Sequence, residues 1–261
     1  MKIAAYQFSG SAAVSKNLLQ FTGAMRQAAD LGARLLLLPE CSLTGYPGED
    51  LESADKIDFE AAKTALSEVA AHSAALGLWV VFGMAEWQNG LCYNSAMLAA
   101  PGEPVQTLYR KRALWGWDTD NFQPGDQAGG VFTMDGFRFG VRICFEVRFP
   151  EYFRELYRQN TDCNLVLFSD RSEPDSPERY GLITAHLRTR AVENVTPTIS
   201  VNNCSRYQTA PTAVFDENGA ILGEKPRHEQ GLLLYDLERK EELSFGAEGR
   251  KCISDRLAKQ E

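Results

Sequence analysis

An α/β fold of two mixed β-sheets packed together, with helices outside, is what this sequence predicts. Two observations lead there. Apolar periodicity runs in the order β-α-β-α, then through a series of strands, then through β-α-β-α and strands again. Nothing between the two halves reads as a linker, a repeat or a low-complexity tract, so residues 1–261 are expected to form a single domain.

The first strand is expected over residues 2–8, where apolar character is broken at Gln7 and Ser9, unlike a signal peptide. Leu18, Phe21, Met25, Ala28 and Ala29 then recur at helical spacing, and Gly32 ends that helix. Residues 34–38 form a continuous apolar strand closed by Pro39. Ile57, Ala61, Ala62, Leu66, Val69 and Leu76 mark a second helix stopped by Gly77. Residues 78–87 and 91–100 read as a hairpin turning at Asn89-Gly90, and a strand follows over 104–111. After a loop rich in Trp, Asp and Gly, strands at 130–134 and 137–144 join at Asp135-Gly136. A helix at 149–158, a strand at 164–169 and a long helix at 177–194 complete the second β-α-β-α unit. Four strands follow, at 198–203, 210–215, 220–222 and 231–235, and the polar tail from about 238 to 261 is expected to wrap a surface or a partner subunit.

Composition excludes several classes. A net charge of −8, with no basic run longer than the three residues after Tyr109, argues against nucleic acid or anionic membrane as partner. No apolar run approaches the roughly 20 residues a bilayer requires. The six cysteines are scattered, without metal-ligand spacing, and are expected to be free thiols in a reducing cytoplasm. No metal or cofactor motif is present.

Three segments carry chemistry. Strand 137–144 ends on Cys144, facing a turn and a helix start, where a nucleophile can meet free backbone N–H groups. Four leucines and Pro39 deliver Glu40 to a strand edge against apolar surface, which raises a carboxyl pKa and suits a general base. Alternation in the third segment puts Tyr109 and Lys111 on one face; a desolvated ammonium there is expected to lower a neighbouring thiol pKa and to hold an oxyanion. The three histidines lie within helices or a charged loop, so a Cys–His dyad has poor candidates.

Leu38-Pro39-Glu40 with Leu43-Thr44-Gly45-Tyr46, then Tyr109-x-Lys111, then Ile143-Cys144-Phe145-Glu146 with Arg148-Phe149-Pro150-Glu151, resemble the three ordered motifs of the nitrilase (carbon–nitrogen hydrolase) superfamily. Gln7, Asn94, Pro124-Gly125-Asp126 and the run from Arg190 to Asn194 are similar to further family positions. The resemblance implies a four-layer α-β-β-α sandwich that commonly dimerises, so a homodimer is expected. It implies Cys144 as nucleophile, Glu40 as base, Lys111 as oxyanion stabiliser and the Phe145 N–H as a second oxyanion donor. Asp118 falls where the family often has a second glutamate, and Phe145-Glu146 stand where Tyr-Asp is usual. Asp170 and Arg171 fall on a pocket wall, with Arg171 a candidate for a substrate carboxylate; Tyr46, Trp115 and Trp117 are expected aromatic walls. The implied reaction is hydrolysis of a small-molecule amide without metal or cofactor. A nitrile substrate, a non-catalytic binding member of the fold and a redox-sensing thiol protein are the alternatives.

Overall fold

The computed structural model describes residues 1–240 and 242–258. In chain order the first half contains β1 (Lys2–Gln7), α1 (Val14–Asp30), β2 (Leu35–Leu37), α2 (Phe59–Leu76), β3 (Trp79–Gln88), β4 (Leu91–Ala99), β5 (Gln106–Arg110) and α3 (Trp117–Asn121). The second half contains β6 (Val131–Met134), β7 (Phe137–Ile143), α4 (Pro150–Arg158), β8 (Cys163–Leu167), α5 (Pro177–Asn194), β9 (Thr198–Val201), β10 (Ala213–Phe215), β11 (Ile221–Glu224), β12 (Gly231–Asp236) and α6 (Phe245–Leu257).

Local chemistry sets these boundaries. The Asp58 side chain accepts from the Ala61 N–H to open α2, and Gly77 closes it in the left-handed region at φ 60°. Ser176 caps α5 and Pro177 occupies its first turn. Asn89 and Gly90 both take positive φ, as a two-residue hairpin turn requires.

Two six-stranded sheets result, in the orders β12-β1-β2-β3-β4-β5 and β11-β10-β9-β8-β7-β6. Each has a parallel centre, β1-β2-β3 in one and β7-β8-β9 in the other, with antiparallel strands outside. The expectation of mixed sheets in an α-β-β-α sandwich is met. Strand alternation explains the layers. Leu36 and Val80 pack outward with Phe21, Met25 and Val69 of α1 and α2. Leu35, Leu37 and Val81 face inward to meet Val141, Ile143, Leu165 and Ile199 of the second sheet. Phe153, Leu187 and Ala191 of α4 and α5 cover the outer side of that sheet against Val166 and Phe215.

Three expectations change. The tail is largely helical, because Ser244 caps α6 through the Ala247 N–H, and Ser254 and Arg250 tie it to Glu193 and Val192 carbonyls at the end of α5. Residues 241 and 259–261 of that expected tail lie outside the described residues. The loop rich in Trp and Asp contains the short α3, and the nucleophile strand continues into a 3-10 turn over Cys144–Arg148 before α4 begins. Among the described residues no helix is long and apolar enough to cross a membrane.

Candidate active site

Glu40, Lys111, Cys144 and Asp170 all stand just beyond the C-terminal ends of strands: β2, β5, β7 and β8. Glu40 is reached through a tight passage. Its N–H donates to the Phe168 carbonyl across the sheet interface at 3.2 Å, while the Gly83 N–H donates to the Pro39 carbonyl at 3.0 Å. A Cβ on Gly83 would lie 2.5 Å from Glu40 Cα, so only glycine leaves room for this crossing.

The Glu40 side chain is buried, and each of its oxygens is held. Oε1 accepts from Lys111 Nζ and from Asn94 Nδ2, both at 2.8 Å, and Oε2 accepts from the Ser169 N–H at 2.8 Å. Burial raises the Glu40 carboxyl above its ordinary value; the Lys111 charge opposes that shift and the Asp118 charge adds to it. Lys111 is equally buried, and its Nζ also donates to Asp118 Oδ2 at 2.6 Å. Burial by itself would depress that ammonium, yet the charges around it, Glu40 foremost, hold it well above the usual lysine range. Asp118, from the first turn of α3, accepts in addition from the Tyr46 hydroxyl at 2.5 Å. Tyr46 is buried behind that carboxylate and does not form an open pocket wall.

Cys144 opens the 3-10 turn with φ at 44°, a left-handed conformation that a residue with a Cβ adopts only under restraint. Glu146 supplies the restraint. Its buried carboxylate accepts from the Ile143 N–H at 2.9 Å, the Arg112 N–H at 2.9 Å and the Tyr109 hydroxyl at 2.6 Å. One side chain thus fastens the Cys144 turn to the end of β5, which Lys111 follows.

The thiol itself departs from expectation. Burial, followed by the Glu40 charge, pushes Cys144 well above the ordinary thiol range, and the Lys111 pull does not reverse it. The ammonium is already shared between two carboxylates, and the balance favours the thiol form.

The outer residues are arranged differently from the expectation for Arg171. It donates to Glu49 and, at 2.9 Å, to Asp50, and is therefore engaged by two carboxylates of its own chain. Burial raises the Glu49 carboxyl to about 7 against the pull of Arg171. Asp170 does reach Cys144, whose thiol lies 3.9 Å from its Oδ2. Phe145 is half-buried, its ring edge-on to Phe149 at 5.3 Å between centroids. Trp115 and Trp117 are exposed, and Trp117 packs over Gly48 in the loop that carries Glu49. A cavity of about 50 Å³ lies beside Glu40, lined also by Pro39, Asp50, Ser169, Arg171 and Asn203.

Asn94, Glu146 and Arg179 had no assigned task in the sequence. The first two left a signal, a polar residue inside an apolar strand and an acid two residues past the nucleophile. Arg179, which holds Asp170 with two donors, left none, being one arginine among several on a helix.

The chain is 34% identical over 169 residues to a nitrilase of Pyrococcus abyssi, a match covering 61% of this chain and 63% of that protein. It is 31% identical over 170 residues to an (R)-stereoselective amidase of a Pseudomonas species, covering 64% and 58%. The matches thus span less than two thirds of either relative. A solved structure of an amidase mutant from Nesterenkonia sp. AN1, with the acetamide moiety of fluoroacetamide added covalently at its active-site cysteine, superposes with a TM-score of 0.78 at 26% identity, covering 91% and 90% of the two chains. The carbon-nitrogen hydrolase family matches residues 2–243, and the chain belongs to that family.

Proposed function

We propose that this protein hydrolyses a small-molecule amide to a carboxylic acid and ammonia through a thioester on Cys144. The observation that carries the reading is the buried Glu40–Lys111–Asp118 cluster beside a thiol held in a strained turn. The covalent acetamide on the cysteine of the similar Nesterenkonia amidase supports it.

Glu40 takes the Cys144 proton as the sulfur attacks the amide carbonyl carbon. Lys111 Nζ and the Phe145 N–H stabilise the oxyanion. The tetrahedral adduct collapses, the C–N bond breaks, and Glu40 returns the proton so that ammonia leaves. Water then gives a proton to Glu40 and attacks the thioester; the C–S bond breaks and the sulfur recovers its proton. A raised carboxyl pKa suits Glu40 to alternate between base and acid, and a thiol that is protonated at rest makes that base necessary. Asp118 keeps the ammonium charged and fixes its direction. Asp170 and Phe145 border the acyl group. The domain acts without metal or organic cofactor, in the cytoplasm, as a homodimer joined in part through the α6 region, where Phe245, Ile253 and Leu257 are exposed.

Intact-mass spectrometry during turnover of a panel of amides and nitriles tests the chemistry. An acyl adduct that is lost in Cys144→Ala is expected with amides. Wild-type rates of ammonia release from the Cys144→Ala protein would overturn it. Light scattering at micromolar concentration tests the dimer.

A further inference from the structure

Asp170 is the residue whose surroundings the amide reading leaves unexplained. It is nearly buried, and its main chain is fixed on every side. Its N–H donates to Asn202 Oδ1 at 2.9 Å, and its carbonyl accepts from Asn202 Nδ2 at 3.0 Å and from the Thr209 N–H at 2.9 Å. The carboxylate is held as firmly. Oδ1 accepts from Arg179 Nε at 2.9 Å and from the Thr209 hydroxyl, while Oδ2 accepts from a terminal Arg179 nitrogen at 3.0 Å. Oδ2 is thus the less committed oxygen, and it is the one 3.9 Å from the nucleophilic sulfur.

That distance limits what part of a substrate can meet it. In an amide poised for attack, the carbonyl carbon lies about 3–3.5 Å from the sulfur, and the adjacent carbon of the acyl group is one bond further on. With the leaving nitrogen turned toward Glu40, which must protonate it, a substituent on that carbon can come within hydrogen-bonding reach of Oδ2. A carboxylate oxygen accepts and never donates, so the substituent that fits is a donor.

Charge at the mouth favours the same class. Arg171 is matched by Glu49 and Asp50, and Arg179 is matched by Asp170, so both arginines are neutralised within the chain. With Glu49 raised to about 7 the carboxylates and guanidinium groups come near balance, and neither of these two guanidinium groups is left to pair with an anionic acyl chain.

Resting on the amidase reading, we infer that the acyl subsite selects amides with a hydrogen-bond donor, an ammonium or a hydroxyl, on the carbon next to the carbonyl, and that Asp170 Oδ2 receives it. Amides of amino acids are the class best matched, 2-hydroxy amides the next. A charge-assisted bond in a nearly buried site is strong enough to dominate the choice between isosteric substrates.

The test compares kcat/KM for alaninamide, lactamide, propionamide and succinamate, which share a short acyl chain and differ in the groups they carry. Alaninamide is expected to exceed propionamide by about tenfold or more, with succinamate the poorest. In Asp170→Asn the ratio of alaninamide to propionamide is expected to fall about tenfold, which separates recognition from the intrinsic reactivity of the two amides. In Asp170→Ala the lactamide preference is expected to go as well. Ratios unchanged in both variants, or succinamate preferred with a dependence on Arg179, overturn the inference while leaving an amidase. Turnover of no amide at all overturns the amidase reading and this one with it. If neither Asp170 variant folds, binding to Cys144→Ala protein decides: alaninamide about tenfold tighter than propionamide supports the subsite, and equal affinity removes it.

Discussion

The Tyr109 hydroxyl donates to Glu146 at 2.6 Å, and this bond joins the two sheets beside the points where Lys111 and Cys144 leave them. Because the same carboxylate also receives the Ile143 and Arg112 N–H groups, an amide in its place would turn a donor toward a donor. Glu146→Gln is expected to cost about 2–3 kcal/mol of stability, and Tyr109→Phe, which leaves both backbone bonds intact, about 1 kcal/mol. Urea unfolding of the two variants measures both, and the reverse order would contradict the arrangement.

Lys111 is the only cation shown bonded to Glu40 and Asp118 among the described residues. Its removal as Lys111→Met leaves two carboxylates buried without compensation, at a cost of about 3–5 kcal/mol. Amide turnover is expected to fall by about 10²–10³. Adding Asp118→Asn to the same protein is expected to restore part of the stability and none of the turnover. Thermal unfolding and ammonia release separate the two effects.

The positive φ of Cys144 sets up a comparison between two inactive proteins. Cys144→Ala keeps a Cβ in the left-handed region, whereas Cys144→Gly relieves it. The glycine variant is expected to unfold at a temperature equal to or above that of the alanine variant. A clear advantage for alanine would mean the turn carries no strain.

Activity is expected to depend on an ionised Glu40. Burial raises its pKa, so kcat/KM should fall on the acid side through a midpoint above the ordinary carboxylate value of about 4.3. The Asn94 hydrogen bond favours the ionised form, so Asn94→Ala moves that midpoint further upward. A pH–rate profile of the two proteins checks the direction; a limb at the ordinary value, or one moving down in the variant, would be inconsistent with this base.

Gly83→Ala should disturb the site without touching a charged group. The new methyl would meet Glu40 Cα and the Cys41 nitrogen at 2.5 Å, both backbone atoms that cannot turn aside. Loss of turnover together with a lowered melting temperature is expected, whereas Gly23→Ala on α1, where nothing lies within 4 Å, should leave turnover intact.

Periodicity and turn chemistry carried most of the fold. The helix stop at Gly77 and the Asn89-Gly90 turn are local features, and local features are what a sequence displays. The tail escaped because α6 is polar, and its place comes from contacts with Glu193 and Val192. In the site, Glu40 and Lys111 were legible because each is a charged residue delivered by an apolar strand. Asp118 was legible only by counting back from Asp126. What stayed hidden was pairing over long sequence distance. Arg171 could not be seen to engage Glu49 and Asp50, some 120 residues earlier, and the thiol's raised pKa follows from burial and the Glu40 charge, which no local pattern records.

Glu40 is anchored on the carbonyl of Phe168 and the N–H of Ser169, residues of the opposite sheet. Glu40 and Lys111 come from the first half of the chain and Cys144 from the second, so neither sheet alone holds all three. A chain emerging during synthesis, or one half-unfolded by heat, carries Cys144 as an ordinary unpartnered thiol. The proposed activity therefore requires the two sheets to be docked, and the appearance of turnover in a refolding experiment would report their meeting.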